Sequence, residues 1–342
     1  MKKAVVIGHM DIANGSTIGA AVKSRTLYFE LVEKLGEKSV GFVDIYGWKN
    51  RKFRVLFSLI KAFFITNNIM LVISDTSGPL MRLFSFLKRI NKNKVFYFVV
   101  GGDIDEVLAR NPNRINNLVF VDNFFVETKK CISELNKLGI NNAILFRNFK
   151  RFDQIRTQEK ELGERIKLCT FSRVNEEKGI SDAIKAVDEV NFLLGKEKFC
   201  LDIYGSIDEN YFNLFDDIIT ESKACRYVGI INPEKSVNTI SCYDYLLFPT
   251  RFDGEGIPGT IIDTFASGIP VIASRWKYYS EMISDGYNGV LYDYKNYDDL
   301  VDKLINLDKY TNIYKNMCIN SRKSYDEYKA DNIMPVLYEL LL

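Results

Sequence analysis

The stretch from Tyr245 to Arg275 constrains the fold more than any other part of the chain. It opens with a short apolar run, 245–248, which has the length of a strand. Residues 253–259 contain three glycines and a proline, so they form a loop rather than a regular element. Apolar positions at helical spacing follow and end at Gly268, and 270–273 begins the next buried strand. Strand, loop, helix and strand in this order predict an α/β fold.

The loop in this stretch has the composition of an anion site. Thr260 is the expected N-cap of the following helix, and the glycines before it leave backbone amides that can approach a phosphate. Glu255 lies in the loop and Asp263 lies in the helix. Two carboxylates in these places can hold hydroxyl groups of the molecule that carries the phosphate. The pattern therefore indicates a nucleotide-sugar site.

The composition is that of a soluble protein with two domains. A chain of 342 residues exceeds most single hydrophobic cores. Its six cysteines are scattered without a C-x-x-C pair, which is typical of reduced thiols in a cytosolic protein. The first apolar run is too short for a signal peptide, and we expect no membrane-spanning helix because no apolar run approaches about 18 residues.

Metal and dinucleotide sites are not indicated. The chain has a single histidine, His9, which excludes multi-histidine metal sites. Glycines at 8, 15 and 19 do not form the G-x-G-x-x-G pattern of a dinucleotide site. In the loop after the first strand, Asn14, Gly15 and Ser16 can bring backbone amides to a diphosphate or to an acceptor; the alternative is a long surface turn. We expect no cofactor and no metal, with a nucleotide-sugar as a substrate.

The net charge of +2 conceals a strong asymmetry. Residues 1–150 contain 23 Lys and Arg against 12 Asp and Glu, a net charge of +11. Residues 151–342 contain 23 against 32, a net charge of −9. The basic half indicates an anionic partner, which is nucleic acid, an anionic lipid surface or a phosphorylated acceptor.

Two basic segments favour the lipid surface. In 48–65, aromatic and aliphatic residues recur at helical spacing beside basic ones, and 80–94 repeats the pattern. The apolar positions of the first segment are Phe53, Leu56, Phe57, Ile60, Phe63 and Phe64. Such a helix can lie on an anionic bilayer; the alternative is a helix that packs on the sheet and exposes a basic face. No recognised motif supports nucleic-acid binding.

The remaining elements divide the chain. Strands are expected at 4–8, 39–45, 70–74, 95–100, 118–121 and 143–146 in the first half, and at 167–171, 199–204 and 227–229 in the second. The polar stretch 149–165 reads as a linker. The predicted domains are therefore 1–150 and 151–325, with 326–342 as a C-terminal helix that can cross back to the first domain.

Asp103 and Asp105 follow the strand at 95–100. Their spacing matches the aspartate pair that holds a metal in some transferases, but three residues match by chance often. We expect them instead to cap a helix that begins near Asp105. Asp103 can also face a ligand at the carboxyl ends of the strands.

The central stretch resembles the family 4 glycosyltransferases of GT-B fold, which share two acidic residues with seven residues between them. Here the motif reads Glu255-Gly-Ile-Pro-Gly-Thr-Ile-Ile-Asp263. Ser172–Gly179 is similar to the family's Gly-Arg…Glu-Lys-Gly segment, and 281–289 is similar to its closing Glu…Gly-x-x-Gly pattern. The chain looks most like members that assemble capsular and extracellular polysaccharides. The resemblance implies two Rossmann-like domains that face each other across a cleft.

The resemblance also implies roles for individual residues. Arg173 and Lys178 would neutralise the departing diphosphate in place of a metal, and Glu255 would hold the donor sugar. Asp263 would bind the ribose hydroxyls, although the family usually has Glu there. The other expected donor contacts are Gly256, Ile257, Gly259 and Thr260, with Gly15 and Ser16 from the first domain. The family's usual cleft histidine is replaced here by Gly101-Gly102-Asp103, so Asp103 or His9, with Asn14, would lie near the acceptor.

These features predict a retaining, metal-independent hexosyltransferase. It would move a sugar from a UDP-linked donor to a polysaccharide or a lipid-linked oligosaccharide, in the cytoplasm on the inner face of the cell membrane. One alternative is a non-catalytic GT-B subunit that assists a glycosyltransferase, against which the retained Arg173, Lys178 and Glu255 argue. The other is a nucleotide-sugar epimerase, which the scarcity of histidine disfavours.

Overall fold

The computed structural model describes residues 1–11, 19–74, 79–152 and 160–341, without the side chain at position 79. The chain forms two compact units, Met1–Asn148 with Ala330–Leu342, and Phe149–Lys329. Each unit contains a six-stranded sheet in which the paired strands run parallel. The α/β fold with two Rossmann-like sheets is therefore confirmed.

The first unit alternates strands and helices, and its last helix comes from the end of the chain. Its elements are β1 (Ala4–Gly8), α1 (Gly19–Leu35), β2 (Val40–Asp44), α2 (Lys52–Ile65), β3 (Asn68–Ile73), α3 (Pro79–Asn91), β4 (Lys94–Val99), α4 (Ile104–Arg110), α5 (Asn113–Asn116), β5 (Asn123–Val126), α6 (Lys129–Lys137) and β6 (Ala143–Leu145). The chain returns to this unit with its final helix, Ala330–Leu341, where the Tyr338 hydroxyl donates to the carbonyl of Glu30.

The second unit repeats the alternation of strands and helices around its own buried core. Its elements are β7 (Ile166–Phe171), α7 (Ile180–Leu193), β8 (Phe199–Tyr204), α8 (Phe212–Glu221), β9 (Cys225–Gly229), α9 (Ser236–Ile240), β10 (Tyr245–Phe248), α10 (Gly259–Ser267), β11 (Val271–Ser274), β12 (Gly289–Tyr292), α11 (Tyr297–Ile305) and α12 (Tyr314–Ser324). The final helix of the chain is thus α13. Ile180, Ile184 and Val187 recur at helical spacing on α7 and are buried with Leu168 and Leu201 of the sheet.

The strand order fixes where a ligand can bind. The first sheet has the order β2-β1-β3-β4-β5-β6, and the second has β12-β11-β10-β7-β8-β9. The direction of winding reverses between β1 and β3 and again between β7 and β10. At such a switch point the two connections leave toward opposite faces of the sheet, so a crevice opens at the carboxyl ends of the strands.

One predicted strand is wrong. Residues 118–121 form a turn, in which the amides of Leu118 and Val121 donate to carbonyls three residues earlier. Leu118 and Val121 are buried, so their hydrophobicity serves packing rather than a strand ladder. The strand of this region is β5, which pairs with β4 and β6.

The described helices include none that is both long and apolar enough to span a bilayer.

The two ends of α7 offer a test of close backbone packing. Gly179 before the helix has φ +67°, and a Cβ there would lie 2.0 Å from the carbonyl oxygen of Pro249. Gly195 after the helix has φ +63°, and no described atom comes within 4 Å of such a Cβ. Alanine costs about 1–2 kcal/mol at either position for its left-handed backbone, and the overlap at Gly179 adds about 1–3 kcal/mol. We expect urea denaturation to show a clearly larger loss of stability for Gly179→Ala than for Gly195→Ala. Equal losses would contradict this packing.

Candidate functional site

The switch point of the second sheet lies between β7 and β10, and the loops after both strands carry the predicted site residues. Arg173 and Lys178 follow β7, and Glu255 follows β10. Strands β7 and β10 are hydrogen-bonded neighbours, so their two loops emerge side by side. Residues far apart in sequence are thereby brought to one edge of the sheet.

The loop after β7 holds Lys178 in place. The Asn175 side chain accepts a hydrogen bond from the Lys178 amide at 3.0 Å and caps the short helical turn 176–178. Gly179 then passes close to the backbone of Pro249, which no residue with a Cβ could do without displacement. The position of Lys178 is therefore set by the Asn175 cap before it and by the close packing of Gly179 after it.

Lys178 and Glu255 form a mostly buried ion pair. The Lys178 Nζ lies 2.5 Å from the Glu255 Oε2, and their side chains are 13% and 12% exposed. The Thr250 hydroxyl donates to the same carboxylate oxygen at 2.9 Å. The ammonium also lies 5.2 Å from the ring centroid of Phe252, at cation–π distance. The structure thus joins two of the three residues to which catalytic roles were assigned.

Arg173 is not part of this contact. Its guanidinium lies 3.9 Å from the Asp208 carboxylate, and its side chain is half exposed. Asp208 also accepts a hydrogen bond from Asn175 at 2.8 Å, on the same loop as Lys178. A long, weakly held arginine next to a fixed lysine can turn toward an anion at little cost.

The helix after the glycine-rich loop begins differently from expectation. Thr260 was predicted as its N-cap, but α10 begins at Gly259 and Pro258 occupies the capping position. The prediction is wrong because Pro258 has the extended backbone of a cap residue, which places Thr260 inside the first turn. No described side chain caps the helix, and the Thr260 hydroxyl is buried without a partner among the described residues.

Gly256, Ile257 and Gly259, three of the predicted donor contacts, follow Glu255 in the loop. The carbonyl of Gly256 accepts a hydrogen bond from the Trp276 indole at 3.2 Å, and Ile257 is buried. Gly259 starts α10. The loop is therefore anchored by Trp276 at Gly256 and continues directly into α10 at Gly259.

Asp263 lies in α10 but does not contact the Lys178–Glu255 pair. Its buried carboxylate forms an ion pair with Lys150. Burial raises the pKa of the Asp263 carboxyl above its usual range, and the Lys150 ammonium opposes this effect. The two acidic residues of the motif thus have separate lysine partners.

The predicted site residues of the first unit are only partly described by the structure. Asn14, Gly15 and Ser16 lie outside the described residues. His9 follows β1 at the first switch point, and its ring stands edge-on to Tyr46 at 6.2 Å.

Asp103 lies beside a cavity of about 250 Å³ at the carboxyl ends of β3 and β4, which is also lined by Ser74, Tyr97 and Arg114. It occupies the N-cap position of α4, but its side chain makes no capping bond, so the predicted capping role is wrong for the side chain. Asp105 lies buried in the first turn of α4 instead of before it. The Asp103 carboxylate is exposed, as a ligand-facing group would be.

Sequence reasoning missed Lys150, Thr250 and Phe252. Thr250 and Phe252 lie between β10 and the glycine-rich loop that the sequence had already identified. Their position beside that loop was the available sequence signal for them. Lys150 lies at the start of the predicted linker, and only the tertiary fold shows that it reaches Asp263.

A double-mutant cycle on Lys178→Met and Glu255→Gln measures how strongly the pair is coupled. Because both charges are largely removed from water, we expect a coupling of about 1–3 kcal/mol in the free energy of unfolding. The matched control is the exposed pair Arg165–Glu197, 3.2 Å apart, for which we expect about 0.5 kcal/mol or less. A coupling no larger than that of the control would mean that the buried pair does not form in solution.

A family model and several known proteins match parts of this chain. The glycosyl transferases group 1 family matches residues 151–324, slightly more than half of the chain. An uncharacterized glycosyltransferase, MJ1069, of Methanocaldococcus jannaschii is 26% identical over 183 residues, 50% of this chain and 46% of the relative. An uncharacterized 41.2 kDa protein in the cps region of Klebsiella pneumoniae is 21% identical over 240 residues, 67% of this chain and 66% of the relative. The chain thus spans about half to two thirds of these relatives.

A solved structure extends the likeness to both units. The crystal structure of Anabaena Alr3699/HepE in complex with UDP has a TM-score of 0.77 at 12% identity, covering 100% of this chain and 99% of that one. The expected GT-B fold is thereby confirmed. With the family match over the second unit, the conclusion is that the chain belongs to the group 1 glycosyl transferases.

Proposed function

We propose that this glycosyltransferase is a retaining, metal-independent hexosyltransferase that moves a sugar from a UDP-sugar to a polysaccharide or a lipid-linked oligosaccharide. The observation that carries the proposal is the mostly buried Lys178–Glu255 pair at the switch point of the second sheet. It provides one cation and one anion, both held rigidly, at the place where an α/β sheet binds its ligand.

The cations serve the leaving group. A nucleoside diphosphate gains negative charge as the sugar departs, and positively charged side chains that are already in place stabilise that charge. Lys178 would bind the diphosphate from its fixed position, and Arg173 would turn toward it from the neighbouring loop. The uncapped start of α10 adds the positive end of a helix dipole. In this proposal the protein's own cations do the work that a divalent metal does in other transferases.

The carboxylates hold the sugar and the ribose. Glu255, together with the backbone of Gly256, Ile257, Gly259 and Thr260, would bind hydroxyls of the transferred hexose. The unpartnered Thr260 hydroxyl suits this role, because a bound ligand would satisfy it. Asp263 would bind the ribose. Retention of the anomeric configuration follows from the resemblance of the Glu255…Asp263 motif to family 4.

The first unit would bind the acceptor. The cavity beside Asp103 is polar and can take acceptor hydroxyls, with Asp103 in place of the cleft histidine usual in family 4. His9 and Asn14, which follow the first strand of the same unit, are proposed to bind the acceptor with Asp103, and Gly15 and Ser16 are proposed to contact the donor.

Two relatives guide the choice of donor and product. The HepE structure contains UDP, which supports a uridine donor. The Klebsiella protein lies in a cps region, which supports a role in capsule or exopolysaccharide synthesis.

The donor proposal is tested by thermal shifts with UDP, GDP, dTDP and ADP, each with EDTA and with Mg²⁺. UDP should raise the melting temperature, because a ligand that binds only the folded state stabilises it by about 2.7 kcal/mol at 100 times its Kd. The rise should be the same with EDTA and with Mg²⁺, because the proposed site uses no metal. Lys178→Ala should strongly reduce the shift, and the control Lys185→Ala, an exposed lysine on α7, should preserve it. No shift with any diphosphate would refute the donor proposal and favour the non-catalytic subunit. A shift that needs Mg²⁺ would refute metal independence.

Analysis of the reaction products distinguishes the transferase from the epimerase alternative. A transferase releases UDP from the donor only when an acceptor is present, apart from slow hydrolysis. An epimerase would change the sugar of the donor without any acceptor.

The side of α2 that points away from the core supports the proposal that the protein binds peripherally to the inner face of the membrane. Val55, Leu59, Ala62 and Phe63 of this helix are buried. Phe53, Phe57 and Phe64 are 90%, 70% and 56% exposed, and Lys52, Arg54 and Lys61 are exposed with them. The exposed aromatic side chains can enter the headgroup region of a bilayer, and the basic ones attract anionic lipid.

We expect Lys52→Gln, Arg54→Gln and Lys61→Gln together to weaken binding to anionic phosphatidylglycerol vesicles by about 100-fold, since each charge contributes about 1 kcal/mol. The matched control removes three exposed lysines of α6, Lys129, Lys130 and Lys137, and should bind as the native protein does. Binding is measured by vesicle sedimentation, with zwitterionic vesicles for comparison. If the triple α2 variant still sediments with anionic vesicles as well as the α6 variant, α2 is not the docking surface.

A further inference from the structure

An ion pair joins Asp263, the second acidic residue of the motif, to Lys150, which lies outside it at the beginning of the second unit. Lys150 is the second residue after the chain enters this unit, and its Nζ donates to the Oδ1 of Asp263. The two side chains are 19% and 7% exposed. Since the two residues are 113 positions apart in the sequence, the contact belongs to the tertiary fold.

The backbone of Lys150 is held by the segment through which the chain leaves the unit. The Lys150 amide donates to the carbonyl of Tyr328 at 3.1 Å. The Tyr325 hydroxyl donates to the Lys150 carbonyl at 3.0 Å, and the Tyr325 ring lies against Phe152. A lysine is a flexible side chain, but this one starts from a backbone fixed on both sides. Its ammonium is therefore delivered to a defined point beside α10.

We propose that Lys150 is a positioning residue that holds the Asp263 carboxylate in place for the ribose hydroxyls of the donor, an inference that rests on the function proposed above. Aspartate is one methylene shorter than the glutamate usual in family 4, so its reach depends more strongly on how the carboxylate is oriented. Lys150 fixes one oxygen of this carboxylate, and the Ser236 hydroxyl, which donates to the Pro233 carbonyl at 2.7 Å, lies near it. A carboxylate can accept about four hydrogen bonds, which leaves capacity for a ribose.

The ammonium also keeps the carboxylate an acceptor. Burial raises the pKa of Asp263, and Lys150 is the group whose charge opposes this rise. Among the described residues of the elements packed on α10, Arg322 of α12 donates to the Ser267 carbonyl at the other end of the helix, and Lys235 before α9 is exposed. Neither replaces Lys150, so its loss would favour a protonated Asp263 that accepts hydrogen bonds poorly.

The test compares UDP with 2′,3′-dideoxy-UDP by isothermal titration calorimetry. The native protein should prefer UDP by about tenfold or more, because the analogue leaves the buried carboxylate without the ribose hydroxyls. Lys150→Met should lose most of this preference, as should Asp263→Asn, and Lys150→Arg should retain it. The matched control is Lys329→Met, which removes an exposed lysine paired with Asp326 near the chain exit and should leave the preference unchanged.

A general loss of structure would weaken both ligands alike and would not change their ratio. If Lys150→Met does not fold, Lys150→Gln keeps a hydrogen-bond donor without the charge and is expected to show a reduced preference. Equal preference in the native protein and the Lys150 variants would overturn the inference. A native protein that binds both ligands equally would also overturn it, with the donor proposal intact. A native protein that binds neither would refute the donor proposal, and the inference with it.

Discussion

The ion pair between Lys178 and Glu255 depends on the strand order of the second sheet, in which β7 and β10 lie side by side. The two residues come from loops after β7 and β10, which are neighbours only because the winding reverses between them. Gly179 lets the loop after β7 pass against the backbone of Pro249, which directly follows β10. Because the pair is largely buried, each charge needs the other, and any displacement of either loop would leave a charge uncompensated. A diphosphate that binds here would find a cation whose position is already determined.

Much of this could be predicted from the sequence, because the strongest signals are local. Short apolar runs bounded by glycine and proline identified most of the strands, and the spacing from Glu255 to Asp263 identified the loop and helix between β10 and β11. The strand expected at 118–121 was wrong because buried apolar residues in a turn have the same composition as a short strand. The cap expected at Thr260 was wrong because proline also occupies the position before a helix. In both cases two local structures share one sequence signal.

Tertiary partners could not be predicted in this way. Nothing in the local pattern around Lys150 indicates Asp263, because their contact follows from the path of the chain at the boundary of the unit. Helix α2 shows a related difficulty. The helical period of its apolar residues was evident, but Phe53 and Phe57 point outward while Val55 and Leu59 point to the core. Periodicity gives the spacing of a face, and packing decides which face is buried.

Lys178, from its place beside Glu255, is proposed to bind the phosphate nearest the sugar of the donor. The most direct measurement is the affinity of the native protein and of Lys178→Met for UDP and for UMP, by isothermal titration calorimetry without divalent metal. UDP and UMP differ by that one phosphate, so the native protein should prefer UDP by about 100-fold, as one or two charge-assisted hydrogen bonds would provide. Lys178→Met should lose most of this preference while binding UMP as before. Equal affinity of the native protein for UDP and UMP would contradict the account.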